Sequence, residues 1–118
     1  MATATRTDLK AIQGSMFNQQ FRLWYQDSLG VRTPIDLTNS IVRGQVRAQY
    51  DAAVAFTFDI TIADAVNGQV VVYMGGDITA TMPTGPLVYD IEVASITDPT
   101  NVFKPLWGSF FLRPEVTR

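Results

Sequence analysis

Along the whole chain, short stretches in which apolar and polar residues alternate one for one follow each other, parted by Gly, Pro, Asn and Asp. No window carries the i, i+3, i+4, i+7 stripe of an amphipathic helix. Period-two alternation means strands with one face toward a core and one toward water, and several of them at this spacing can hide their apolar faces only by stacking sheet on sheet. The expected fold is all-β: an immunoglobulin-like antiparallel β-sandwich of about seven or eight strands, with a small closed barrel as the alternative. With 118 residues the chain fits one domain. Residues 1–13, small and polar around Leu9 and Ile12, match neither period and read as an extended N-terminal arm; residues 14–118 read as the sandwich.

The first strand is expected over 16–26, with Phe21, Leu23 and Tyr25 on one parity and Trp24 on the polar one. A short strand over 31–37 contains Pro34, which cannot donate to a ladder and belongs at an edge or a strand end. Residues 41–50 put Val42, Val46, Ala48 and Tyr50 opposite Arg43, Gln45, Arg47 and Gln49, with Gly44 on the apolar side where a neighbour can come close. The clearest alternation, over 54–62, reads as a central strand, and Asn67-Gly68 is a turn that leads into a strand over 69–74. A short extended segment over 78–82, a strand over 87–96 and a last strand over 102–112 complete the order, with a helical turn at most near Asp64. In the last strand Leu106, Phe110 and Leu112 oppose Trp107 and Phe111, so Phe110 and Phe111 cannot share one core; Trp107 is read as core.

Hydrophobic residues make up 47% and charged residues 17%, too apolar for disorder and charge-poor for a surface that faces only water. The net charge of −2 gives no field to gather nucleic acid or anionic lipid, and neither is an expected partner. The charge is uneven, with six Lys/Arg against three Asp in residues 1–49 and three against eight Asp/Glu after them, so copies could attract head to tail. No leader-like or membrane-spanning apolar run is present, which leads to the expectation of a soluble protein made in the cytosol.

The chain has no histidine and no cysteine. That removes the usual general base, thiol nucleophiles, disulfides and most zinc sites, so no enzyme activity, metal or cofactor is expected. Asp90 and Glu92 share a strand face about 7 Å apart and could in principle flank a glycosidic bond, but such carboxylates ordinarily sit on a solvated face. The nine Asp lack the spacing of a calcium loop, and Gly75-Gly76 lacks the lysine of a phosphate loop. What remains is binding: Arg43 and Arg47 as a polar stripe for an acidic surface, Trp24 as an aromatic outside the core, Phe111 as the second apolar face of the last strand, and Leu9 and Ile12 on the arm.

Several stretches taken in order are similar to the small immunoglobulin-like domain at the start of phage upper-baseplate proteins and of short standalone phage tail proteins. They are Gln13-Gly14, residues 27–38 (DSLGVRTPIDLT), Asn67-Gly68-Gln69-Val70, Tyr89-Asp90-Ile91-Glu92, and Trp107-Gly108 through the closing Arg113-Pro114-Glu115-Val116-Thr117-Arg118. The resemblance implies a non-enzymatic sandwich that docks receptor-binding or fibre proteins onto a tail or baseplate. The family's following helical or fibre region has no counterpart before Arg118, so the expectation is a standalone adaptor or connector of the virion. It would be present in multiple copies and hold other tail, baseplate or fibre subunits. A capsid decoration protein, or a carbohydrate-binding module using Trp24, Tyr25 or Trp107, are the alternatives.

Overall fold

The computed structural model describes residues 5–26, 28–98 and 100–116. In chain order they form β1 (Thr5–Arg6), β2 (Leu9–Ile12), β3 (Phe17–Arg22), β4 (Trp24–Gln26), β5 (Arg32–Pro34), β6 (Ser40–Arg47), β7 (Ala55–Thr57), β8 (Asp59–Asp64), β9 (Gln69–Met74), α1 (Gly76–Thr79), β10 (Gly85–Ser95) and β11 (Val102–Arg113). The large sheet has the order β1-β11-β10-β6-β7, with β2 continuing beside β11. The small sheet is β3-β9-β8, and β4 and β5 form a separate hairpin. A three-stranded sheet facing a sheet of order β11-β10-β6-β7 is the immunoglobulin-like arrangement, with β3, β9 and β8 in the places of strands B, E and D and the others in those of G, F, C and C′.

Inward residues of the two sheets meet as the alternation requires. Val42 and Val46 of β6, Leu87, Tyr89, Ile91 and Val93 of β10, and Phe110 and Leu112 of β11 are buried against Phe17, Phe58, Val70, Val72 and Met74. The centre is an aromatic cluster in which Phe110 lies 5.2 Å from Phe17 and 5.8 Å from Phe58, ring centre to ring centre. Such tilted contacts add to the large area that each ring removes from water. Gly44 makes this packing possible: a Cβ there would stand 2.6 Å from Ile91 Cδ1 and 3.0 Å from the Phe58 ring.

Residues 54–62 do not form one central strand. They divide at Phe58 into β7, at the edge of the large sheet, and β8, at the edge of the small one. Phe58 is buried at the crossing, and its N–H donates to the Gly44 carbonyl at 2.9 Å. Alternation reports that one side of a segment is buried; it does not report which sheet buries it, and a segment changing sheets keeps its parity throughout.

The N-terminal segment is extended but does not stand off from the domain. β1 and β2 run parallel to β11, pairing Thr5 with Leu106 and Leu9 with Phe110, so the domain's largest sheet includes residues on both sides of the expected boundary at residue 13. Four other expectations are corrected. The segment near residue 78 is the helical turn α1, and Asp64 closes a strand. Trp107, in register with Asp90, faces outward and is half-buried, because Gly108 takes the inward position beside Tyr89. Tyr50 lies in the loop after β6 and is exposed, since β6 ends at Arg47.

Candidate functional site

On the large sheet, β6, β10, β11 and β2 alternate in register, so their outward residues form continuous rows. At one end Ala94 pairs with Ile41 on one side and Val102 on the other, and both flanking side chains are exposed. Next to Val102, Phe103 is stacked against Tyr25 of the β4–β5 hairpin, with ring centres 5.2 Å apart. At the other end Phe111 pairs with Pro86 and Lys10, and Ile12 lies in register with Arg113. Phe111 and Ile12 retain 43% and 41% of their surface, a large exposure for apolar side chains on a sheet face.

Between the apolar ends lies a ladder of charges. Arg43 is hydrogen-bonded and ion-paired to Glu92, its cross-strand partner. Lys104 Nζ lies 3.3 Å from Asp90 Oδ2 and 3.7 Å from Glu92 Oε2. Arg47 donates to the Ala52 carbonyl at 2.6 Å and to Gln45 Oε1 at 3.0 Å. Exposed pairs of this kind contribute about 0–1 kcal/mol each, so the ladder's main effect is to fix where donors and acceptors stand. The Asp90/Glu92 pair is thereby an element of an ion-pair ladder, each carboxylate bound to a cation. Among the described residues no three metal-ligating side chains converge.

Farther along the face the Arg6 guanidinium covers Trp107 at 5.4 Å. Asp8 Oδ1 accepts from the Ser109 N–H at 3.0 Å, the Ser109 hydroxyl at 3.3 Å and Arg6 Nε at 3.3 Å. The Ser109 backbone N–H, followed by the Arg6 side chain, holds the Asp8 carboxyl below its ordinary value. The opposite outer face, on the small sheet, is more polar: Asn18, Gln20, Arg22, Asp59 and Thr61 surround Val71 and Tyr73.

Of the residues that the sequence nominated for partner binding, Ile12, Arg43, Arg47 and Phe111 come together on the outer face of the large sheet. Leu9 does not: it is 4% exposed, packed into the domain's own core opposite Phe110, which corrects its assignment to a partner. Trp24 lies apart on β4, half-buried with Arg32 4.6 Å above its ring. Sequence reasoning passed over Ile41 and Val102. Ile41 was visible as an apolar residue on the arginine parity of β6, whereas Val102 was hidden by the irregularity between Ile91 and Val93, where β11 carries an extra residue and the parity shifts.

No family model matches the chain, and no curated protein matches it. A solved structure similar to it is an internalin-like protein of Listeria monocytogenes, 14% identical, with a TM-score of 0.39. That match covers 95% of this chain and 28% of the other, so the chain spans little more than a quarter of that protein. At this TM-score the likeness carries neither fold nor function across.

Proposed function

We propose that the chain is a structural subunit of a tailed-phage virion, an adaptor in the tail or baseplate that holds neighbouring subunits against the outer face of its large sheet. The observation that carries the docking face is the placing of exposed apolar side chains, Ile41 and Val102 on either side of Ala94 and Phe111 and Ile12 one register step apart on β11 and β2, at the two ends of a register-fixed charge ladder. Apolar anchors that exclude water around positioned polar groups are the usual make-up of a non-obligate interface. The virion address is supported by the ordered sequence stretches that resemble the baseplate immunoglobulin-like domain. A chain without histidine or cysteine also suits a role that needs affinity and no chemistry. The short edge strands β7 and β8 offer a second route, since unpaired edge groups can extend a neighbour's ladder.

The experiment is incorporation into particles. A phage whose own copy of the gene is replaced by the double variant Ile12→Asp/Phe111→Asp yields particles depleted of the chain, while the purified variant unfolds at the wild-type midpoint. Wild-type incorporation of that variant overturns the docking face, and absence of the wild-type chain from purified particles overturns the virion assignment.

A further inference from the structure

The charge ladder and the loop after β6 enclose a groove of about 550 Å³ on the outer face of the large sheet, lined by Arg43, Gln45, Tyr50, Asp90, Glu92 and Lys104 among others. This volume lies in the range of small-ligand sites. The geometry points to a binding site for a neutral carbohydrate, an oligosaccharide segment laid across β6 and β10 with one ring against Tyr50.

The ligand class follows from what the groove offers. Cations and carboxylates are interleaved, with Arg43 on Glu92 and Lys104 between Asp90 and Glu92, so a phosphate or sulfate at either cation would meet a carboxylate, and a free cation the reverse; the remaining cation of the lining, Arg47, is engaged by the Ala52 carbonyl and Gln45 Oε1. A hydroxyl group both donates and accepts, and vicinal hydroxyls match a floor in which a planar guanidinium, an amide and two carboxylates are held in fixed order. The floor excludes an extended peptide by the same reasoning: the facing backbone groups of β6 and β10 are spent on each other over Ser40–Arg47 and Val88–Ser95, leaving no ladder for a peptide to join. Tyr50, 70% exposed at the rim, supplies the flat apolar surface that the C–H face of a sugar ring requires. Arg47 steadies that rim, because its guanidinium holds the Ala52 carbonyl within the loop.

The groove lies on the face assigned above to neighbouring subunits, so sugar and subunit compete for it and the sugar is a ligand of the free chain; binding by the free chain is tested without particles, and its failure is distinct from failure of the virion assignment. The test is titration of the full-length, isotope-labelled chain with a panel of neutral hexasaccharides of glucose, mannose and N-acetylglucosamine, read by amide chemical shifts, with a heparin hexasaccharide and hexalysine as charged controls. The expected result is saturable shifts from at least one neutral member at Gln45, Tyr50, Asp90, Glu92 and Lys104, and about tenfold weaker binding in Tyr50→Ala, the loss of one apolar contact. Tyr50 is in an exposed loop, so that variant keeps the fold; Glu92→Gln, which keeps the shape and removes an acceptor charge, is expected to weaken binding as well. Absence of saturable shifts at millimolar concentrations across the panel overturns the site. Shifts confined to Trp24 or to the small sheet, tighter binding of heparin or hexalysine than of any neutral sugar, or undiminished binding by Tyr50→Ala overturn it equally.

Discussion

The hydroxyl of Tyr89, whose ring is inside the sandwich, donates to the carbonyl oxygen of Thr7 at 2.5 Å and so ties the middle of β10 to the chain between β1 and β2. Tyr89 is paired with Gly108 on β11, and the absence of a side chain at Gly108 opens the space through which the hydroxyl reaches. Burial, with a smaller contribution from the Asp8 charge, raises the Tyr89 hydroxyl far above its ordinary value, so it remains a donor throughout the physiological range. Tyr89→Phe leaves a carbonyl without its partner and is expected to cost about 0.5–1.5 kcal/mol. Urea unfolding gives the total, and hydrogen exchange should place the loss in residues 5–12 first.

Gly108→Ala tests the same seam from the other side. Its Cβ would run into the Thr7 carbonyl oxygen and stand 2.9 Å from Asp8 Oδ1. Overpacking of that kind costs about 1–3 kcal/mol, relieved here by releasing the N-terminal strand. The expected signature is fast exchange of the amides of Leu9 and Ala11 with β10 and β6 still protected. Deleting residues 1–13 should likewise lower the unfolding midpoint, since it removes Leu9 from the core.

That seam marks how far the sequence could be read. Alternation gave the strands and their inward faces because parity is a local property, as in β6, β9 and β10. The docking of residues 5–12 was not legible, since Leu9 is the one large inward side chain of a short segment and its partner, Phe110, is far along the chain. The same holds for the candidate site. That Arg43, Arg47 and Phe111 each face outward follows from parity; that they share one face with Ile12 depends on register between distant strands, which no local pattern encodes.

Acid should loosen the seam. The Asp8 carboxyl is held below its ordinary value of 3.8, first by the Ser109 backbone N–H and then by the Arg6 side chain. A pKa lowered by folding stabilises the folded form above the unfolded-state value, and that contribution disappears as pH falls through the folded-state one. Below pH 3.8 the amides of residues 6–12 and Ser109 should therefore lose protection, and Asp8→Asn should remove this dependence. Asp36 and Asp98, held low by Thr38 and Thr100, add an acid-sensitive contribution elsewhere that residue-resolved exchange separates from this one.

Neighbouring phenylalanines on β11 should respond in opposite ways. Phe110 is fully buried among Phe17 and Phe58, and Phe110→Ala is expected to cost about 3–5 kcal/mol. Phe111, outward and 43% exposed, should change stability by no more than about 0.5 kcal/mol when replaced by Ala. Paired denaturation curves check both, and similar losses at the two positions would contradict the register of β11.

The central proposal is that the outer face of the large sheet is covered by other virion subunits, and the chain carries its own reporters for it. Its lysines are at 10 and 104, one beside Phe111 and the other in the charge ladder, both outward on that face. Amine-reactive labelling of purified particles, compared with the free chain, is the most direct measurement. The account predicts that Lys10 and Lys104 are protected in particles and cross-link to other virion proteins. Labelling of both lysines at the free-chain rate in particles that contain the chain would contradict it.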